Sequence, residues 1–214
     1  ELKINSNHRV LEIGCGWGGF AEYTAKTVGC QITGVTISPS QLKFSKARIK
    51  NKGLEKNVTL ELCDYRDIKG TYDRIVSIEM IEAVGEKYWI SYFKKIKESL
   101  KKDGLAGIQV ILINDKSYEK YSNSVDFIQK YVFPGGMLPS QEKLNESYKE
   151  VGLKEIKSIS FGRSYAKTLG LWHNDFIRSI KSIRKLGFDD RLEKIFRYYF
   201  SYCKAGFNSK KIDV

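Results

Sequence analysis

The sequence predicts a doubly wound α/β fold: a mostly parallel sheet, an inserted covering segment and two C-terminal helices. Two observations predict it. Short apolar runs alternate with helix-length segments as far as Ile113, a pattern that parallel strands joined by crossover helices produce. The first of these runs also breaks into a glycine-rich turn that opens onto a helix, the usual start of a ligand-binding βα unit.

Arg9, Val10, Leu11, Glu12 and Ile13 form the first predicted strand, followed by the turn Gly14-Cys15-Gly16-Trp17-Gly18-Gly19 and a helix over Phe20 to Val28. Gln31 to Thr36 reads as the second strand. Ser38 to Lys52 reads as a helix, because Ser38 followed by Pro39 is a capping serine with proline at the first helical position. Val58 to Leu62 is a third strand and Arg74 to Ile78 a fourth. Tyr88 to Leu100 is a helix stopped by Asp103-Gly104, and Ala106 to Ile113 is a fifth strand. From 114 to 140 the periodicity loosens into polar and aromatic residues, and a segment of this length predicts a lid over a binding site. Ser158 to Phe161 is a further predicted strand. Phe176, Ile177, Ile180 and Ile183, then Leu192, Ile195, Phe196 and Tyr199, recur at helical spacing, which predicts two amphipathic helices. Trp89, Trp172 and Phe200 are expected in the core.

With 214 residues, 42% hydrophobic and 29% charged, the chain fits a single globular domain over 1–214. No Pro-rich, Ser-rich or repetitive stretch marks an internal boundary. The first residue is Glu1 and not methionine, so an N-terminal part of a longer protein is expected to be missing. Cys15, Cys30, Cys63 and Cys203 lack the pair spacing of a metal site, so no metal is expected, and their number suits a reducing cytoplasm. The longest nearly apolar run, Gly104 to Ile113, is too short to span a bilayer, which takes roughly 18 residues or more. The formal charge is +12, and from Lys154 onward fourteen basic residues face six acidic ones. Such clustering predicts that the C-terminal helices dock on an anionic surface.

Glycines after the first strand let the backbone approach a ligand, because no Cβ intrudes and positive φ costs little. Dinucleotide enzymes share such a turn, but they place an acid at the end of the second strand to grip ribose hydroxyls. This chain reads Gly34-Val35-Thr36-Ile37-Ser38 there, which argues against NAD. The spacing E-x-G-x-G-x-G-G from Glu12 to Gly19 instead resembles the first motif of class I S-adenosylmethionine-dependent methyltransferases.

Longer runs narrow the resemblance. Gly34 to Ser38, the downstream Gln41, Asp64-Tyr65-Arg66-Asp67, Asp73 to Gly85 with Ser77-Ile78-Glu79-Met80-Ile81-Glu82-Ala83 inside it, and Asp126 to Gly136 follow in order, then Tyr165-Ala166-Lys167-Thr168-Leu169 with Trp172, and Leu186-Gly187-Phe188-Asp189-Asp190 with Tyr198-Tyr199 and Ala205-Gly206-Phe207. Together they resemble the cyclopropane-fatty-acyl-phospholipid synthase family, including its mycolic acid branch, over essentially the whole chain.

The resemblance implies a Rossmann-like methyltransferase with a mostly parallel seven-stranded sheet that moves a one-carbon group from S-adenosylmethionine to the double bond of an unsaturated phospholipid acyl chain, leaving S-adenosylhomocysteine. It implies cofactor contacts from Glu12, Gly14, Cys15, Gly16, Trp17, Gly18 and Gly19, from Thr36, Ser38 and Gln41, from Asp64 and Tyr65 beside the adenine, and from Ile78 and Glu79. It further implies a bicarbonate base held by Glu82 and Tyr165, with a backbone contact from Ile113. Gln109 is a fourth catalytic candidate, near a position where some relatives carry a histidine and this chain has Ile111. Ala83 stands where many members have a histidine, and the family's bicarbonate-site cysteine falls upstream of Glu1. The implied setting is cytoplasmic and peripherally membrane-associated, and a homodimer is compatible with it.

Other readings compete. Glu82 as a local cap and Tyr165 as a backbone-bonding core tyrosine are the structural alternatives. Methyl-branch formation on a fatty acid, amine N-methylation and a binder without turnover are the functional ones. Nucleic acid methylation is disfavoured, because Ser77-Ile78-Glu79-Met80 lacks the N/D-P-P-Y/W motif of base-amino methyltransferases.

Overall fold

The computed structural model describes residues 1–214, which form two compact units. Unit 1 comprises Glu1–Ile81, Lys87–Val110 and Ser147–Leu153, and unit 2 comprises Glu82–Glu86, Ile111–Glu146 and Lys154–Val214.

Unit 1 is a five-stranded sheet with crossover helices. Its elements are β1 (Arg9–Ile13), α1 (Gly19–Val28), β2 (Gln31–Thr36), α2 (Pro39–Asn51), β3 (Val58–Leu62), β4 (Tyr72–Ile78), α3 (Trp89–Ser99) and β5 (Leu100–Gln109). All pairings are parallel, in the order β3-β2-β1-β4-β5. The order reverses direction at β1, which places a topological switch point beside the glycine turn. Val10, Leu11 and Ile13 are all buried despite alternating across β1, as expected of a strand covered on both faces. On α3, Trp89, Tyr92, Phe93 and Ile96 recur at helical spacing and are all buried. Glycine 29, in the left-handed region, closes α1, and the Ser38 hydroxyl caps α2 by accepting the Gln41 N–H.

The predicted helix to Leu100 stops one residue earlier, because Leu100 already pairs with Tyr72 as the first residue of β5. The register then jumps to Arg74 opposite Leu105, so residues 101–104 are taken up as an irregularity inside the strand. The expected Asp103-Gly104 stop lies in that irregularity.

Unit 2 holds β6 (Leu112–Ile113) and β7 (Ile212–Asp213), with α4 (Asp115–Ser122), α5 (Phe127–Tyr131), α7 (Gly162–Lys185) and α8 (Asp190–Asn208). Helix α6 (Gln141–Glu150) begins in unit 2 and ends in unit 1. There are thus seven strands, but β6 and β7 form a separate antiparallel pair and do not extend the parallel sheet. The fifth predicted strand is cut accordingly into β5 and β6. Between 114 and 140, where a loosened lid is expected, the chain folds into α4 and α5. The Asn114 side chain caps the first, and a reciprocal Asp126–Gln129 capping box starts the second.

No strand forms over the predicted Ser158 to Phe161. That segment is tied by single bonds, Phe161 N–H to the Val214 carbonyl (3.0 Å) and Ser160 Oγ to Asp213 (2.5 Å), and gains no ladder partner. Helices α7 and α8 form the expected amphipathic pair. Tyr165 meets Phe207 while Phe176 meets Phe196, a pairing that runs in opposite directions and makes the hairpin antiparallel. Its core gathers Ala166, Leu169, Phe200, Phe207 and Val214. Trp172, expected inside, is 47% exposed on the outer side of α7. No helix is long and apolar enough to cross a membrane.

Candidate functional site

Register places the motif residues of unit 1 along one edge of the sheet. Ile13 pairs with Val35 and Ser77, Thr36 with Leu62, and Ile78 with Gln109. The carboxyl ends of all five strands therefore lie together, where parallel sheets bind ligands. The turn after β1 is built there by hydrogen bonds: the Gly14 and Cys15 N–H groups both donate to the Val35 carbonyl (3.0 and 2.9 Å), and the Gly18 N–H donates to the Cys15 carbonyl (2.9 Å).

Two glycines of this turn are required for different reasons. Gly18 has φ 78°, and a Cβ there would sit 2.9 Å from the Ser45 Cβ, so it permits α1 and α2 to pack. Gly16 has φ 51°, but an added Cβ would meet nothing within 4 Å. Bare backbone at Gly16 thus faces open space, the condition under which a ligand can approach.

Glu12, only 4% exposed, has one carboxylate oxygen, Oε2, without a hydrogen-bond partner. Burial raises its pKa to about 8, offset in part by the Ala21 N–H. Burial and the neighbouring Glu12 charge push the Cys15 thiol up to about 12. That thiol is inert at neutral pH and packed inward, so Cys15 offers a ligand only its backbone. Trp17 is exposed and stands edge-on to Phe44 at 5.3 Å.

At the end of β2, the Thr36 hydroxyl donates to Gln41 Oε1 (2.9 Å) and accepts the Ser38 N–H (3.2 Å), which gathers three predicted cofactor residues into one polar cluster. Beyond β3, Asp64 accepts from the Arg66 backbone N–H and from Nε and Nη2 of its guanidinium (2.9, 2.9 and 2.7 Å). The guanidinium holds the Asp64 carboxyl below the usual carboxylate range. The Tyr65 ring is buried and packs edge-on against Tyr92 at 5.7 Å. Ile78, at the end of β4, is exposed.

Glu79 adopts φ 50°, unusual for a residue with a side chain. Gln109 holds it there twice: its carbonyl accepts the Glu79 N–H (2.9 Å) and its Nε2 donates to Glu79 Oε1 (2.8 Å). Gln109, predicted as catalytic, is in this structure the clamp on Glu79.

The remaining catalytic candidates lie in unit 2. Glu82 Oε1 accepts the Ile111 N–H at 2.7 Å, while the Glu82 carbonyl accepts the Met137 N–H at 2.8 Å. The side chain therefore reaches the link between β5 and β6, 29 positions away, and does not act as a local cap. The Ile113 N–H donates to the Pro139 carbonyl (3.0 Å), so the N–H that meets Glu82 is that of Ile111, a contact the residue types did not signal. Tyr165 lies in the first turns of α7, its ring 5.0 Å from Phe207 and 6.2 Å from Trp172.

The profile of the family described as mycolic acid cyclopropane synthetase matches residues 1–214. The chain is 36% identical over 212 residues to tuberculostearic acid methyltransferase UfaA1 of Mycobacterium tuberculosis, covering 99% of this chain and 49% of that protein. It is 35% identical over 215 residues to the cyclopropane-fatty-acyl-phospholipid synthase of Escherichia coli, covering 100% of this chain and 53% of that protein. The chain thus spans about half the length of these curated relatives. Among solved structures, the cyclopropane synthase MmaA2 from Mycobacterium tuberculosis shares the fold with a TM-score of 0.89 at 23% identity, over 99% of this chain and 77% of that one.

Proposed function

The chain belongs to the mycolic acid cyclopropane synthetase family of class I S-adenosylmethionine-dependent methyltransferases, and on that premise we propose that it adds a one-carbon unit to the double bond of an unsaturated phospholipid acyl chain, closing a cyclopropane ring. One observation of the structure supports the donor best. The carboxyl edge of the sheet presents bare backbone at Gly16 and the unpartnered Glu12 oxygen, while β2 ends in the Thr36–Gln41 pair without the acid a dinucleotide would need.

These residues fit S-adenosylmethionine. The glycine turn with Glu12 beneath it would take the methionine part, Thr36, Ser38 and Gln41 would supply hydroxyl and amide partners, and Asp64 would serve the adenosine end. When bound, the donor supplies an electrophilic methyl on a sulfonium.

An alkene is a weak nucleophile, so the protein's task is alignment and exclusion of water. As the new carbon–carbon bond forms, positive charge develops on the second alkene carbon. Loss of a proton from the added methyl lets that carbon close the ring. Glu82 governs this proton's removal, its carboxylate oriented by the Ile111 N–H. Glu82 and Tyr165 are the residues that would hold a bicarbonate base. Ile111 contributes its N–H and no imidazole, so orientation of Glu82 falls to backbone.

The basic C-terminal helices dock the protein on an anionic membrane face, in a reducing cytoplasm that suits four unpaired cysteines. A second reading has its own support. UfaA1 is named a tuberculostearic acid methyltransferase and not a cyclopropane synthase, and a cation that loses its proton from a chain carbon leaves a methyl-branched alkene in place of a ring.

Methyl-labelled S-adenosylmethionine with vesicles of monounsaturated phosphatidylglycerol tests the proposal. The expected acyl product gains one carbon and two hydrogens and keeps its ring under mild hydrogenation. A product that takes up hydrogen to give a methyl branch establishes the second reading, and absence of label from every lipid overturns both.

A further inference from the structure

We propose that the turn between α7 and α8 is a membrane-inserting tip, with Leu186 and Phe188 entering an anionic bilayer and Lys181, Lys185, Arg191 and Lys194 lying among its headgroups. This rests on the lipid-substrate reading above and names the part of the chain that makes the contact.

The turn is built around Gly187 at φ 93°, and Asp189 starts α8 by accepting the Leu192 N–H at 2.9 Å. Neither feature calls for large apolar neighbours. Leu186 is nevertheless 76% exposed and Phe188 49% exposed, on either side of that glycine. A short turn between two helices is ordinarily polar, so two adjacent exposed hydrophobes have no structural purpose there. The stem beneath them is unburied too: between Leu169 and Phe200 no residue is fully buried, and the apolar stripes cover each other through contacts such as Phe176 on Phe196 at 5.7 Å.

Cations outnumber acids around the tip. Arg184 bonds Asp190 and Glu193 (2.7 and 2.8 Å), and Arg197 bonds Glu193 (2.8 Å). Arg178 pairs with Asp175. Asp175, Asp190 and Glu193 are thus engaged by these arginines and Asp189 caps α8, while Lys181, Lys185, Arg191 and Lys194 stand outside those pairs. The surface left over combines two apolar side chains with uncompensated cations, the composition of an interfacial anchor on anionic lipid. A nucleic acid would use the cations but gives no role to Leu186 and Phe188.

Sedimentation of the protein with vesicles of phosphatidylglycerol or of phosphatidylcholine tests the tip. The parent is expected to prefer the anionic vesicles. The double variant L186S/F188S should partition onto them roughly tenfold more weakly. K181Q/K185Q should lose roughly tenfold or more at low salt, and little on neutral lipid. Melting temperature and S-adenosylmethionine affinity should be unchanged in both variants.

If L186S/F188S binds vesicles as the parent does, the proposal is overturned. It is also overturned if the lysine substitutions abolish retention on duplex DNA and leave vesicle binding intact. The two readings fail separately. Tip-dependent vesicle binding without methyl transfer to any lipid sustains the docking and removes the activity. Transfer to lipid in detergent micelles, with vesicle binding indifferent to Leu186 and Phe188, does the reverse.

Discussion

Replacing Glu12 by glutamine should stabilise the protein above neutrality and flatten its stability against pH. Glu12 is buried beneath the glycine turn, with Oε2 unpartnered, and its pKa rises from 4.5 to about 8. Between those values the native state holds a proton that the unfolded chain has released. The resulting stabilisation is present in full below about pH 4.5 and is lost as pH rises toward about 8. At about 1.4 kcal/mol per tenfold change in proton affinity, the loss is worth about 5 kcal/mol. A glutamine has the same shape and no charge to desolvate, so E12Q should not lose it. Urea denaturation of both proteins from about pH 5.5 to about pH 8.5 measures the difference directly. Every other titrating group is common to the pair, and the depressed carboxylates Asp64, Asp73 and Asp213 change charge only below this range. The parent should fall by several kcal/mol relative to E12Q. Parallel curves would refute the claim that Glu12 is held in an environment hostile to its charge.

Glu82→Gln keeps an oxygen acceptor for the Ile111 N–H but removes the basic carboxylate. Labelled transfer to lipid should fall by about 100-fold or more, with the urea midpoint little changed. Gln109→Ala removes the amide that grips Glu79 at 2.8 Å. It should weaken S-adenosylmethionine binding by about tenfold in calorimetry, and Gln109→Glu should weaken it further by setting a second carboxylate against Glu79. Gly34→Ala would place a Cβ 2.7 Å from Leu60 Cδ2 and 2.9 Å from the Cys15 Cβ. Forcing that contact should cost about 1–3 kcal/mol in denaturant unfolding.

The first four strands and their helices were legible in the sequence because their signals are local. Val10 to Ile13 is an apolar run of strand length, and Ser38-Pro39 marks a helix start by its own conformational preferences. The boundary at Leu100 was not legible, because α3 passes into β5 with no breaker between them and the pairing with Tyr72 decides it. Leu112 and Asp213 pair across a hundred residues, so nothing in the local pattern separates β6 and β7 from the main sheet. Helices α4 and α5 did leave signals, the caps Asn114 and Asp126, which the polar composition of the segment obscured.

The candidate site divides in the same way. Glycines at required backbone positions, and Thr36 in place of an acid, are properties of residue type and could be read directly. The Gln109 grip on Glu79 depends on the register of β4 against β5. The Ile111 N–H that meets Glu82 is a backbone group, which no residue pattern reports. Trp172 lies outside because α7 turns its buried face toward α8 with Ala166 and Leu169.

Mass spectrometry of acyl chains after incubation with methyl-labelled S-adenosylmethionine and monounsaturated phospholipid tests the central claim most directly. The account predicts labelled chains one carbon and two hydrogens heavier, their ring surviving mild hydrogenation, with the signal lost in Glu82→Gln. Label confined to a non-lipid acceptor, or an unchanged signal in Glu82→Gln, would contradict it.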